Sequence, residues 1–155
     1  MFLKKSKLLN YGDRPQGIEP SIILLHYTGM ETMQAAKDRL TDPKIEVSAH
    51  YLIDEDGSID NLVPEDKRAW HAGVSNYRGE ENCNDFSIGI ELEGADHIPY
   101  TEAQYQQLSD CCQALVQHYP LLDSEQITGH CDVSPGRKTD PGDSFDWALI
   151  KRLNN

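Results

Sequence analysis

Ser21-Ile22-Ile23-Leu24-Leu25-His26-Tyr27, closed at once by Thr28-Gly29, is a continuous apolar run that ends on a histidine. It is short, β-branched at two positions and stopped by a turn pair. That pattern reads as a buried central strand rather than a helix. His26 falls near its C-terminal end. An imidazole there is either a hydrogen-bonded core histidine or the beginning of a site, and the flanking sequence has to say which.

On the N-terminal side, residues 1–20 form a lead-in with turn signals at Tyr11-Gly12-Asp13-Arg14-Pro15 and Glu19-Pro20. On the C-terminal side, residues 30–40 carry apolar positions at helical spacing, and Asp42-Pro43 breaks them. Residues 47–53 form a second strand, Asp54-Glu55-Asp56-Gly57 a hairpin turn and residues 58–63 the returning strand. A long connection over 64–86 holds Trp70, His71 and Tyr77. Residues 86–94 form a further strand. Its alternation places Phe86, Ile88, Ile90 and Leu92 on one face and Ser87, Gly89, Glu91 and Glu93 on the other.

Residues 101–119 make a long helix, capped by Thr101 and ended by Pro120. A short edge-like strand over 125–130 and a terminal helix over 146–153 follow. Strands and helices interleave around a hairpin. The expected architecture is α/β, a single domain with a mixed central β-sheet flanked by helices.

Composition narrows the function. The chain has 155 residues, 38% hydrophobic and 26% charged, which suits one soluble globular domain. No stretch approaches the roughly 18 apolar residues of a membrane span. The basic start, Met1 to Asn10, lacks an apolar core and does not read as a signal peptide. A cytoplasmic location is expected. Cys83, adjacent Cys111-Cys112 and Cys131 make an awkward disulfide framework and read as reduced thiols. The formal net charge of −12 argues against nucleic acid and anionic membrane partners. Against that acidic background Lys67-Arg68, Arg78 and Arg137-Lys138 stand out.

The densest chemistry lies in Thr128-Gly129-His130-Cys131-Asp132-Val133-Ser134-Pro135-Gly136-Arg137-Lys138-Thr139-Asp140-Pro141-Gly142. Two prolines and three glycines make most of it loop. His26, His130 and Asp140 would form a three-ligand zinc set with a fourth position open. His50 and His71 also sit in motif-like contexts, and either could serve as a ligand instead or line a cleft. Glu91, mid-strand between Ile90 and Leu92, is a candidate buried general base, whereas Glu93 reads as solvated. Lys138 could neutralise an oxyanion. His97 and His118 read as surface residues. Cys131 is set aside, because neighbours rarely both reach one metal from an extended chain.

Several long segments, in order, carry a resemblance to a known family. They are Leu25-His26, Val47-Ser48-Ala49-His50, Asp66 through Ser75, Asn84 through Gly94, and the loop through Lys138-Thr139-Asp140-Pro141-Gly142. Over most of the chain the sequence resembles the zinc-dependent N-acetylmuramoyl-L-alanine amidases of the amidase-2 family, related to peptidoglycan recognition proteins. It is most similar to the AmpD type, the 1,6-anhydro-N-acetylmuramyl-L-alanine amidases. The resemblance implies an amidase domain over residues 21–155 after the 1–20 lead-in. It implies zinc held by His26, His130 and Asp140, with Glu91 as the catalytic carboxylate and Lys138 stabilising the oxyanion.

The implied reaction is hydrolysis of the amide between the lactyl group of N-acetylmuramic acid and L-alanine of the stem peptide. Tyr27, His50, Arg68, Trp70, His71 and Arg137 are candidate substrate contacts. Trp70 and His71 would wall the groove, and the arginines would meet the carboxylates of an acidic peptide. A monomer acting on muropeptide fragments in peptidoglycan recycling is expected. The alternatives are a lysin-like amidase acting on intact wall and a non-catalytic binding module. Two departures from the AmpD type concern the peptide. The segment over residues 27–46 is shorter than that type's insertion, and Glu46 and Asn82 stand where it carries arginines.

Overall fold

The computed structural model describes residues 9–153. Residues 1–8, most of the basic start on which the leader reading rests, and residues 154–155 lie outside it. In chain order the elements are β1 (Gly12–Asp13), β2 (Ile22–Tyr27), α1 (Met33–Thr41), β3 (Tyr51–Ile53), β4 (Ile59–Asn61), β5 (Lys67–Arg68), β6 (Asn76–Tyr77) and β7 (Glu80–Glu81). Then come β8 (Ser87–Leu92), α2 (Glu102–His118), β9 (Ile127–Gly129), the single turn α3 (His130–Val133) and α4 (Trp147–Leu153). The main sheet runs β4-β3-β8-β2-β9. Pairing is parallel throughout except for the β3–β4 hairpin, so the sheet is mixed, as expected.

The apolar run of β2 is explained by its place. It is hydrogen-bonded on both sides, by β8 and β9, and residues 22–26 are buried. One face of the sheet presents Ile23, Leu25, Ile53, Ile88, Ile90 and Leu92 to the apolar stripe of α2 (Tyr105, Leu108, Cys112, Leu115) and to Ile150 of α4. That cluster is the main core. The other face carries Ile22 and Leu24, covered by Ala72, Phe86 and Val133, while α1 brings Leu40 onto Leu52 and Ala49. α2 begins in a capping box, with the Thr101 hydroxyl accepting from Gln104 N–H and the Gln104 side chain accepting from Thr101 N–H.

The boundaries differ from expectation where a local hydrogen bond wins. α1 starts at Met33, not Met30, because Thr32 caps it by accepting from Ala35 N–H at 3.1 Å. Residues 47–50 are not in a strand; Ser48 N–H donates across to Trp70 C=O (2.8 Å) and ties them to the long connection. Phe86 does not share a face with Ile88. It closes a 3-10 turn over Cys83–Asp85, breaks the alternation and packs in the opposite cluster. The expected edge strand shortens to β9, since a 3-10 turn precedes it and His130 already begins α3. All four cysteines are free. No helix among the described residues is long and apolar enough to cross a membrane.

The lead-in is tied into the domain. β1 pairs antiparallel with β5. Arg14, half-buried, donates to four backbone carbonyls: Glu65 (2.9 Å), Asn84 (3.3 Å), Asp85 (3.1 Å) and Ser87 (2.9 Å). Three of these acceptors, Asn84, Asp85 and Ser87, lie where the chain turns into β8, and Glu65 lies at the start of the long connection. Replacing Arg14 by Met keeps much of the bulk and strands the carbonyls, so the unfolding free energy should fall by about 2–4 kcal/mol. Urea denaturation of the Arg14→Met variant measures it.

Candidate active site

The parallel pairing of β2 with β8 puts His26 directly beside Glu91. Side chains in register on adjacent parallel strands share a face. His26 and Glu91 therefore leave the sheet together, at its C-terminal edge and away from the main core. The 128–142 loop folds over that edge. Cys131 N–H donates to Asp140 C=O (2.9 Å), Tyr100 O–H donates to Pro141 C=O (2.6 Å), and Gly129 lies so close to the Pro141 ring that a Cβ would meet it at 2.9 Å. His130 and Asp140, ten positions apart, are thereby brought together.

Their donor atoms converge with that of His26. His26 Nδ1 lies 3.0 Å from His130 Nδ1 and 2.9 Å from Asp140 Oδ2, and His130 Nδ1 lies 3.1 Å from the same oxygen. All three residues are buried. The remaining nitrogens point away and are engaged: His130 Nε2 is 2.8 Å from Ala72 C=O, and His26 Nε2 is 2.8 Å from His71 Nδ1. Two imidazole nitrogens and one carboxylate oxygen meeting at one point fit a catalytic zinc donor set. The neighbouring Glu91 Oε2 is buried with no hydrogen-bond partner. An unpaired buried carboxylate oxygen is costly, and this one lines the same hollow.

Charge follows burial. Burial pushes the Glu91 carboxyl well above its ordinary range, the Asp140 charge adds to the shift, and Lys138 opposes it. For Asp140, burial also pushes upward, but hydrogen bonds from His130 and His26 outweigh it and hold the carboxyl well below the usual range. His26 is pulled down by burial, against the pull of Asp140. His71 is held neutral by burial and its histidine neighbours.

A groove of about 400 Å³ opens over these groups. Tyr27, Trp70, His71, Arg137 and Lys138 reach it. Tyr27 bonds Thr139 Oγ1 at 3.0 Å, which bridges to Asp96 at 2.7 Å. Arg137 braces the wall, with one Nη donating to the carbonyls of Ala72 (2.7 Å) and Val74 (2.9 Å). Two of the candidate contacts stay outside. His50 is fully buried: its Nδ1 accepts from Gly89 N–H (3.0 Å) and its Nε2 bonds Lys67 C=O (2.8 Å), so no nitrogen is left for a substrate or a metal. Arg68 lies on β5 and spends its Nε–H on Asp85 at 2.6 Å.

The structure adds Arg39 of α1 and Asn84 to the groove wall. Nothing in the local pattern marked Arg39, a helix residue whose neighbours only folding reveals. Glu46 also reaches the groove, whereas Asn82 lines a separate surface hollow near Pro135. Another hollow, of about 340 Å³ beside Ile127 and Trp147, has no buried ionisable group on its wall.

The amidase-2 family model, described as N-acetylmuramoyl-L-alanine amidase, matches residues 16–143. The chain belongs to this family. It is 47% identical over 161 aligned positions to the 1,6-anhydro-N-acetylmuramyl-L-alanine amidase AmpD of Citrobacter freundii, covering 93% of this chain and 86% of the relative. A crystal structure of a selenomethionine derivative of AmpD superposes with a TM-score of 0.88 at 46% identity, over 94% of this chain and 90% of that one. The Escherichia coli amidase AmiD, solved with the substrate anhydro-N-acetylmuramic acid-L-Ala-D-γ-Glu-L-Lys, matches with a TM-score of 0.78 at 34% identity, over 90% of this chain and 60% of its own. This amidase-2 chain keeps the mixed sheet and helices of those neighbours.

The buried Glu91 predicts a pH effect on the metal-free protein. Its folded-state pKa is raised, so the folded state holds the proton more tightly than the unfolded state. Stability is therefore full below the unfolded value near 4.3 and is lost as pH rises through the folded value. Glu91→Gln removes that loss. The variant should match wild type near pH 4 and be the more stable of the two at pH 8, read by urea denaturation after chelation.

Proposed function

We propose that this chain is a zinc amidase of peptidoglycan recycling. It cleaves the amide between the lactyl group of 1,6-anhydro-N-acetylmuramic acid and L-alanine of the stem peptide. The observation that carries this reading is the buried convergence of His26 Nδ1, His130 Nδ1 and Asp140 Oδ2 beside the unpartnered Glu91 oxygen, at the floor of an open groove. The AmpD and AmiD relatives, with the anhydromuramyl substrate bound to AmiD, support the substrate class.

His26, His130 and Asp140 would hold the zinc, which when bound acidifies a water and polarises the scissile carbonyl. Glu91 takes the proton of the attacking water. Its raised affinity for protons suits it to keep that proton through the addition step and give it to the amine of L-alanine as the C–N bond breaks. Lys138, on the groove rim, supplies positive charge to the oxyanion. Tyr27 and Trp70 wall the groove that the substrate would enter. Arg39 and Arg137 offer cations to an acidic stem peptide that the net charge of −12 would repel. Four free cysteines support a reducing, cytoplasmic location.

The test is a product assay. Purified protein should release L-Ala-D-γ-Glu-L-Lys from the anhydromuramyl tripeptide and little peptide from whole sacculi, with both followed by mass spectrometry. Peptide release from sacculi alone would overturn the recycling role. Glu91→Ala should keep its zinc while turnover falls ~10²-fold or more. Asp140→Ala should lose both zinc and turnover, checked by metal analysis of the purified variant.

A further inference from the structure

The metal reading gives the buried His71 no task. His71 is not a ligand: its Nδ1 lies 2.8 Å from His26 Nε2, on the side of the imidazole turned away from the convergent donors. The two rings meet edge to face, with centroids 4.9 Å apart and planes at 86°. His71 Nε2 lies 3.1 Å from Ser87 Oγ. Its ring lies so close to the strand that a Cβ on Gly89 would come within 2.6 Å of it. The backbone is fixed too. His71 N–H and Ala72 N–H both donate to Asn84 Oδ1, at 3.0 and 2.8 Å.

We propose that His71 is a positioning residue for the metal centre: it accepts a hydrogen bond from His26 Nε2–H and so turns the Nδ1 lone pair of His26 toward the metal. The proposal rests on the zinc reading above. The competing tautomer is at hand. His26 Nδ1 is 2.9 Å from the Asp140 carboxylate, so a proton on Nδ1 finds a charged acceptor and blocks the ligand atom. An acceptor at Nε2, supplied by a buried ring, tips the balance back. His71 then carries its own proton on Nε2 and donates it to Ser87 Oγ. The adjacent residue does the same for the other imidazole, because Ala72 C=O accepts from His130 Nε2–H at 2.8 Å. One dipeptide, clamped by Asn84, orients two ligands that lie far apart in sequence. Partners of this kind typically govern metal affinity by 10- to 100-fold.

The experiment compares zinc affinity, by chelator competition on the full chain, for wild type, His71→Leu and His71→Asn. The Asn carboxamide oxygen falls close to the place of Nδ1 and restores an acceptor. His71→Leu should weaken zinc binding by about 10- to 100-fold, and His71→Asn should recover most of it, with cobalt-substituted spectra following the same order. Nitrogen NMR of the zinc-loaded wild type should show His26 protonated on Nε2, with coupling across the hydrogen bond to His71 Nδ1. That spectrum decides the matter even if a variant fails to fold. Wild-type affinity in His71→Leu, equal loss in both variants, or an unprotonated His26 Nε2 would overturn the proposal. A wild-type chain that takes up no zinc defeats the metal reading itself, a different result from zinc uptake indifferent to His71.

Discussion

The parallel register between β2 and β8 is the constraint on which the site depends. It sets His26 opposite Glu91 and, by the same ladder, Leu24 opposite Gly89 and Ile22 opposite Ser87. A slip of one residue would send His26 and Glu91 to opposite faces and put Leu25 into the groove. The slip is prevented by the other face. Ile23, Leu25, Ile88, Ile90 and Leu92 all face the main core under α2, and a one-residue slip would turn one strand's set away from it. The His26–Glu91 pair is thus positioned by the core behind it. Because β2 and β8 are interior strands, the donor groups sit on stiff backbone and only the 128–142 loop has to be folded onto them.

That loop and the 64–86 connection solve a polar problem as well as a geometric one. Four histidines, two carboxylates and the carbonyls that face them are taken out of water around one point. Each ring is held there because its outward nitrogen has a partner: His26 on His71, His71 on Ser87, His130 on Ala72, His50 on Lys67 and Gly89. Satisfied networks of this kind hold one arrangement, and half-satisfied ones do not. The exception is Glu91, whose free oxygen is aimed into the groove. Among the described residues it is the one buried side-chain oxygen or nitrogen without a partner, which fits the role proposed for it.

Much of this was legible in the sequence, and what was not has identifiable causes. The apolar run of β2 and the alternation of β8 declared themselves, because burial on both sides of a strand leaves no room for polar residues. The capped stripe of α2 did so for the same reason on one side. His26, His130 and Asp140 could be grouped as ligand types, but their meeting depends on strand order, which spacing does not encode. His50 and His71 looked alike in motif context and proved to differ in their surroundings: one is locked beneath β8 on backbone partners, and the other backs His26. Phe86 was misplaced because a 3-10 turn, not a strand, sets its direction. Arg14 read as part of a turn; its four carbonyl partners are distant in sequence and leave no local trace.

The long connection shows why such residues escape a local reading. Its elements, β5, β6 and β7, are two residues each, too short to be stable ladders alone. It is held instead by discrete polar links: Asn84 to His71 and Ala72, Ser75 to Cys83, Ser48 to Trp70, Arg14 to the carbonyls of Glu65, Asn84, Asp85 and Ser87. Hydrogen bonds fix direction where apolar packing fixes only proximity, and a tautomer is a matter of direction. A strand could have brought residue 71 near His26, but it would have offered a ladder carbonyl rather than an imidazole nitrogen at that angle. The irregular backbone here is therefore the element suited to orienting ligands, and the regular sheet is the element suited to carrying them.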